Sequence, residues 1–284
     1  MRNAWIVAGF ALRESVRRRV FAVVALLTVV FLGLYGLGTW QAYKSVKAGD
    51  LNQGVDVKIV AGAILLGLSM FATLFLGAIL AVFLTLGAVR GDAERGLLQP
   101  LLVRPLSRGT FLAGRFLAAA SVSVVYVIVV FLGSVVITNA FGGWWPDAVV
   151  VPALELAAGV AILVALALAG SVVLSSTANG IAIFMLFGAG LTAGLLGEIG
   201  DALGSDTLSN VARAASWLLP FEALYQQALS DITQDTVGFT RLAIDLGPFG
   251  GARTFGAGLW PYTIAYVAGV AALALWRFRR RDLG

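Results

Sequence analysis

The chain has 284 residues, of which 60% are apolar and only 12% are charged, and its mean hydropathy is +0.93. Because a soluble domain carries about 25% charged residues, this composition excludes a soluble globular protein. The sequence contains neither Cys nor His, which excludes disulfides, thiolate or imidazole catalysis and most transition-metal sites. The apolar runs are continuous and about twenty residues long, so they predict an all-α integral membrane protein.

Residues 1–19 predict an amphipathic helix that lies in the membrane interface. Trp5 falls at helical spacing with other apolar side chains, and Arg13, Arg17 and Arg18 fall on the opposite face. Such a helix places its arginines among the lipid headgroups. The alternative interpretation is that this stretch is only the polar start of the first membrane span.

Six apolar segments are long enough to cross a membrane, which predicts that both termini lie on the same side. The predicted spans are residues 20–40, 59–88, 111–139, 149–174, 179–197 and 257–276. Only the sequence STANG separates the fourth span from the fifth, which predicts a tight antiparallel hairpin. In the non-spanning region 198–256, Ser205 or Asp206 is expected to cap a helix that Pro220 ends or restarts.

The distribution of charge predicts the orientation. The side of the N-terminus holds fourteen of the 20 cations and four of the 15 acidic residues, a net charge of +10, and the other side has −5. The positive-inside rule then places both termini and the segment 89–109 in the cytoplasm, and the region 198–256 outside. The basic pI is explained in this way without a nucleic-acid partner. We expect one multi-pass domain, residues 1–284, in a bacterial or archaeal cell (inner) membrane.

The segment 89–109 is the most polar stretch between two predicted spans. The candidate residues for coupling this segment to a partner protein are Asp92, Glu94, Arg95, Gly96, Leu98, Leu101, Leu102, Arg104, Pro105, Ser107 and Arg108. The leucines give a short helix an apolar edge that needs a partner. The alternative is a solvated connector whose charges only follow the positive-inside rule. For Arg104 and Arg108, pairing with acidic residues of a partner protein and contact with lipid phosphates are both open.

The stretch GDAERGLLQPLLVRPLSRGTFLAGR resembles the cytoplasmic loop of ABC transporter permeases of the type-2 exporter class. In that family an acidic residue, a small-residue turn, a Leu-rich stretch, a Pro-x-Ser-Arg run and a Gly with a following basic residue occur in this order. Here they correspond to Glu94, Gly96, the leucines of 97–102, Pro105 to Arg108, and Gly114 with Arg115. The segment WLLPFEALYQQAL (217–229) is similar to a Pro-centred stretch of the same family. The start RESVRRRVFAVVALL resembles a subgroup associated with multicopper-enzyme maturation.

The resemblance implies a permease that works as a homodimer with two copies of an ABC ATPase subunit. The helix in 89–109 would then be a coupling helix that seats in a groove of the ATPase. A P-loop needs a Lys that reaches the phosphates, and Lys44, Lys47 and Lys58, the only lysines, do not follow such a glycine-rich sequence. We therefore expect that the chain is not an enzyme and binds no cofactor in this way, and that ATP and Mg²⁺ are bound by the partner.

Two acidic residues near the ends of predicted spans, Glu155 and Glu198, are candidates for an interfacial role or for substrate contact. Together with Pro220 and Phe221 they form the candidate conduit or outer gate. Small residues recur in the fifth span, at Gly188, Gly190, Gly194 and Gly197. They indicate close helix packing or, alternatively, a dimer interface or a conduit that slides.

The sequence therefore predicts the membrane subunit of an ATP-driven exporter. Its apolar spans favour a hydrophobic or amphipathic substrate such as a lipid, a lipid-linked glycan or a drug. No metal site is expected, and the missing His and Cys argue against copper passage. An ion-coupled secondary transporter is one alternative, although no charged residue is expected at the membrane midplane. A subunit that transmits ATPase motion without moving a substrate is another.

Overall fold

The computed structural model describes residues 19–45, 51–52, 55–86, 107–232 and 253–280. These residues form eight helices and one antiparallel pair of two-residue strands. The helices are α1 (Arg19–Ser45), α2 (Val57–Thr85), α3 (Arg108–Gly142), α4 (Val150–Val173), α5 (Ser176–Ala202), α6 (Asp206–Leu218), α7 (Pro220–Ile232) and α8 (Leu259–Arg279). The strands are β1 (Leu51–Asn52) and β2 (Val55–Asp56), with Leu51 opposite Asp56.

Six of these helices, α1 to α5 and α8, are long and apolar enough to cross a membrane. The shortest has 21 residues, which is about 30 Å at 1.5 Å per residue and matches the hydrocarbon thickness of a bilayer. Within the described residues, the prediction of a helical membrane protein with six helices able to span the bilayer is confirmed. α1 and α5 extend beyond their predicted ends, to residues 45 and 202, because helices continue past the apolar stretch that defines a span.

The two ends of the bundle differ in charge. At one end α2 and α4 end, α3 and α5 begin and α8 ends, and a small apolar cluster joins α3, α4 and α8 there. We call it the basic end, because it carries Arg108, Arg115, Arg277, Arg279 and Arg280. The other end, where α6 and α7 join the bundle, is called the α7 end.

α4 is the central helix. Its most apolar window is 67% buried within the chain, whereas the windows of α1 and α8 are only 17% buried. Small residues bring the neighbouring helices close to it. A Cβ atom on Gly77 of α2 would lie 2.7 Å from Val127 of α3 and 3.0 Å from Val160 of α4. Close packing of this kind stabilises membrane helices, since lipid is as apolar as their side chains.

Buried polar side chains bond to one another between the spans. Ser69 of α2 donates to Ser134 of α3 at 2.6 Å, and Thr28 of α1 shares a 2.6 Å hydrogen bond with Tyr126 of α3. Asn179 of α5 donates to the carbonyl of Ala167 in α4 at 2.8 Å. This last bond closes the predicted α4–α5 hairpin, whose connection is only residues 174–175.

α6 follows α5 after a short turn. Its bounds agree with the sequence prediction, because Ser205 is the N-cap residue and the helix ends just before Pro220. α6 packs along α5, where Ser209 donates to Asp201 at 2.6 Å. Its apolar residues Val211 and Leu218 are exposed on the surface of the chain.

α7 does not stay outside the bundle. Its second residue, Phe221, packs its backbone carbonyl 3.4 Å from where a Cβ of Gly159 would lie. Gly159 is the tenth residue of α4, so the start of α7 lies about 14 Å along the axis of α4 from the N-terminal end of that helix. Leu229, near the other end of α7, contacts Gly67 of α2. The α6–α7 pair is therefore re-entrant and reaches the middle of the bundle.

Candidate functional site

The candidate conduit residues of the sequence analysis meet around α7. Its sequence, PFEALYQQALSDI, is amphipathic, but every residue of the helix except Gln227 and Asp231 is buried, so its polar side chains are enclosed together with its apolar ones. Phe221 is completely buried and stacks on Phe187 of α5, with ring centroids 5.8 Å apart. Pro220 is also buried and starts the helix, which is a position that proline favours. Both residues lie together at mid-bundle depth.

Three of the predicted glycines in α5 explain why α7 fits there. A Cβ on Gly190 would lie 2.7 Å from the ring of Phe221. A Cβ on Gly194 would overlap the carboxylate of Glu222, and one on Gly197 would overlap the guanidinium of Arg253. Gly188 has no atom within 4 Å of such a Cβ. Gly190, Gly194 and Gly197 thus allow close packing within one chain, whereas the surface at Gly188 is open.

Arg253 fixes the segment before α8 to the end of α5. Its Nε donates to Glu198 at 2.9 Å, and its guanidinium also pairs with Asp201. Glu198 was predicted as an interfacial or conduit residue, and the structure shows it in this ion pair. The same segment is attached to α7, because the amide of Phe255 donates to Gln227 at 2.6 Å.

Glu222 is the most deeply placed acidic side chain of the re-entrant pair. It is 1% exposed, and Gln226, one turn later, donates to its Oε1. Burial raises the pKa of Glu222 to about 7, because the buried carboxylate loses its hydration. Ser216, Arg253 and Gln226 lower this pKa, and the negative charge of Glu198 raises it further.

Glu155 lies in the first turns of α4 and is also 1% exposed. Within the described part of the chain, its Oε2 has no hydrogen-bond partner. The carboxylate of Asp231, near the end of α7, acts on it electrostatically. Glu155 therefore faces α7 and not the surface of the bundle. Among the described residues, no group of three or more acidic side chains is arranged to hold a metal ion.

Two tyrosines of α8 hold the connection between α6 and α7. Tyr262 donates to the carbonyl of Trp217 at 2.5 Å, and Tyr266 donates to that of Leu218 at 3.0 Å. The ring of Tyr262 also packs edge-on against Trp217, with centroids 4.8 Å apart. These bonds satisfy carbonyls at the end of α6 that have no partner within the helix.

The basic end contains the described part of the predicted coupling segment. Ser107 caps α3 by accepting a hydrogen bond from the amide of Thr110 at 3.1 Å. Arg108 donates to the carbonyls of Phe278 and Arg279 at the end of α8, and its guanidinium lies 5.4 Å from the ring centre of Phe278. The other coupling residues, 92–105, and the interfacial residues Trp5, Arg13, Arg17 and Arg18 lie outside the described residues.

An apolar groove of about 620 Å³ lies between α1 and α3. Eight of its eleven lining residues are aliphatic, and the other three are Thr28, Ser121 and Tyr126. It is open along one side. Because α1 is, together with α8, the least buried of the spans, this groove lies at the periphery of the bundle.

Four residues of this site, Arg253, Asp201, Glu222 and Gln226, were not predicted from the sequence. The region 198–256 was expected to lie outside the membrane, where a carboxylate is hydrated and its burial has no energetic cost to signal a function. The amphipathic pattern of PFEALYQQALSDI, with Glu222 and Gln226 on its polar face, is typical of a surface helix and did not indicate burial.

The sequence model of the family described as ABC-2 family transporter protein matches residues 5–283. The chain belongs to the ABC-2 transporter family. The match covers nearly the whole chain and confirms the resemblance to type-2 ABC permeases. The chain is therefore a multi-pass membrane protein of the transport class. The chain matches none of the curated proteins with which it was compared.

Proposed function

We propose that this ABC-2 protein is the permease of an ATP-driven exporter and works with a separate ABC ATPase subunit. The observation that carries the proposal is the family match over residues 5–283, since members of this family generally work with an ATPase partner. In this proposal two permease chains form a homodimer with two ATPase subunits. ATP and Mg²⁺ are bound by the ATPase, because no lysine of this chain belongs to a P-loop.

We assign ATPase docking to the segment 89–109. It connects α2 to α3 at the basic end, where the charge of the chain is concentrated. The positive-inside rule makes this end cytoplasmic and the α7 end extracellular or periplasmic. The residues 1–19 are proposed to lie along the same membrane surface as an interfacial helix.

The anchoring of Arg108 supports a coupling role for this segment. A force on 89–109 reaches α3 directly through Ser107, and it reaches α8 through the bonds of Arg108 to Phe278 and Arg279. α8 in turn holds the α6–α7 connection through Tyr262 and Tyr266. One helix therefore links the proposed ATPase side to the re-entrant pair at the α7 end.

We propose a hydrophobic or amphipathic substrate, such as a lipid, a lipid-linked glycan or a drug. The groove between α1 and α3 supports this proposal, because its mostly aliphatic lining suits an acyl chain or another apolar group. Phe221, Pro220 and Glu155 then lie where a path along α4 and α5 would pass α7, which makes the re-entrant pair the proposed outer gate.

The test uses any ABC ATPase encoded beside this chain, with its rate of ATP hydrolysis measured in detergent with and without the permease. We expect co-purification and a rate of hydrolysis that changes on complex formation. The variants Glu94→Gln and Arg104→Ala should weaken both effects, whereas Asp147→Asn, an exposed acid at the α7 end, should change neither. If Glu94→Gln and Arg104→Ala co-purified with the ATPase and changed its hydrolysis rate as Asp147→Asn does, docking at 89–109 would be contradicted.

A further inference from the structure

A carboxylate that the proposed function does not use, Glu222, is buried in the re-entrant pair. Glu222 is 1% exposed, and among the described residues its Oε2 has no hydrogen-bond partner. The side chain carbonyl of Gln226, 0% exposed, is likewise without a donor. Two side chains that already bond to each other, Gln226 to Oε1 of Glu222, thus each keep one acceptor oxygen without a donor in the described part of the chain. An unpaired charge in such a place is unstable, whereas a carboxylic acid supplies the missing donor.

The surroundings leave no room for a large compensating group on the side of α5. The backbone of α5 at Gly194 contacts the Glu222 carboxylate so closely that a Cβ there would overlap it and lie 2.6 Å from Nε2 of Gln226. On the side of α6, the hydroxyl of Ser216 donates to the carbonyl of Ala212 at 3.1 Å. The same hydroxyl also acts on Glu222 and lowers the pKa of its carboxyl, but burial outweighs this effect.

Among the residues that the structure describes, the charges that face Glu222 do not neutralise it. Arg253, from the segment before α8, is the cation that acts on it, but Arg253 is already paired with Glu198 and Asp201 of α5. One cation with two carboxylates leaves a net charge of −1, and an ionised Glu222 would make it −2. Within α7, Tyr225 is completely buried and adds no positive charge. The position of Glu222 in the first turn of α7 favours an anion only weakly.

We propose that Glu222 is a proton-binding site that holds the α6–α7 pair against α5. In the docked arrangement Oε2 carries a proton taken from water, as a covalent O–H bond. When the pair separates from α5, the carboxyl is hydrated and the proton returns to water. Docking of the pair is then linked to pH, whether or not an ATPase drives the cycle, so the inference stands apart from the proposed function.

The direction in which pH changes the docking of the α6–α7 pair follows from the raised pKa of Glu222. Since burial raises the pKa of Glu222 to about 7, the docked state binds a proton that the separated state, with an ordinary carboxyl pKa, has lost. Docking is therefore strongest at low pH and weakens as pH rises through about 7. Between about pH 5 and pH 8 the docking equilibrium constant should fall by about tenfold to a hundredfold.

The absence of native cysteines allows a direct test in the full-length chain. Ala228 of α7 is 0% exposed, so a single Ala228→Cys reacts with a water-soluble maleimide only when α7 separates. The labelling rate is measured from about pH 5 to 8 with Glu222 present and with Glu222→Gln, the neutral isostere. The labelling rate with Glu222 is divided by the rate with Glu222→Gln, and this ratio cancels the pH dependence of the thiol itself. Asp206→Asn, which removes an exposed acid of α6, is the matched control.

We expect the ratio to rise with pH about a midpoint near 7, and to be unaffected by Asp206→Asn. Infrared difference spectra should also show a protonated carboxylic C=O stretch at low pH that Glu222→Gln removes. A pH-independent ratio, or spectra in which that band persists in Glu222→Gln, would overturn the proposal. It would also be overturned if Glu222→Gln did not fold, because the neutral isostere should be tolerated, or if labelling followed Na⁺ concentration at constant pH.

Discussion

The fit of α7 against α5 predicts that two neighbouring glycines respond in opposite ways to the same substitution. A Cβ on Gly190 would lie 2.7 Å from Cζ and 3.1 Å from Cε2 of Phe221, well inside the 3.5–4.0 Å of an ordinary carbon contact. Gly188, on the same helix, has nothing within 4 Å of its Cβ position. Gly188→Ala is therefore the matched control for Gly190→Ala.

The magnitude follows from two opposing terms. Replacement of Gly by Ala within a helix stabilises it by up to about 1 kcal/mol, and both variants gain this amount. Insertion of a methyl group into a packed site costs about 1–3 kcal/mol, and only Gly190→Ala incurs that cost. Gly188→Ala should be neutral or stabilising, and Gly190→Ala should be less stable than Gly188→Ala by about 1–3 kcal/mol.

The assay is the free energy of unfolding of the purified chain in detergent micelles, from a denaturant titration. A second substitution, Phe221→Leu, removes the ring atom that the new methyl group would overlap. By itself it should destabilise, since the ring stacks on Phe187, but combined with Gly190→Ala it should show a favourable coupling energy of about 0.5–3 kcal/mol. Equal effects of the two Gly→Ala variants, or additive effects in the double variant, would refute the docking of α7 on Gly190.

Three other substitutions test separate contacts. Asn179→Leu should lower the free energy of unfolding by about 1–2 kcal/mol by removing the bond to Ala167, measured in the same titration with Gln41→Leu as an exposed control. Arg253→Gln should destabilise by about 1 kcal/mol or less, because its ion pairs are partly exposed, yet raise maleimide labelling of Ala228→Cys; unchanged labelling would contradict its role in holding α7. Ser69→Ala should cost about 0.6 kcal/mol through loss of the bond to Ser134, and a loss above about 2 kcal/mol would show that more than this bond is affected.

The spans could be predicted from the sequence because each is a local property. A continuous apolar run of about twenty residues has one stable arrangement in a bilayer, a helix whose backbone bonds are all internal. The α4–α5 hairpin was also local, since residues 174–175 are too few to cross back in any other way. The helix capped at Ser205 and ended before Pro220 followed from the same kind of short-range signal.

The depth of α7 is not a local property, and hydropathy alone did not reveal it. Thirteen residues are too few to span, so PFEALYQQALSDI was assigned to the non-spanning region. What places it in the bundle is the fit of Phe221 and Glu222 onto Gly190 and Gly194, which depends on the packing of α5 beside α4. Arg253 could not be paired with Glu198 for the same reason, because 55 residues separate them.

The most direct test of the central claim is transport by the permease reconstituted in vesicles with its ABC ATPase. The probe is a fluorescent phospholipid, and the measurement is its ATP-dependent movement between leaflets. The account predicts movement that requires both the ATPase and ATP, and that Glu94→Gln abolishes while the variant still inserts and folds. Movement driven by an ion gradient in vesicles without the ATPase, or wild-type movement with Glu94→Gln, would contradict it.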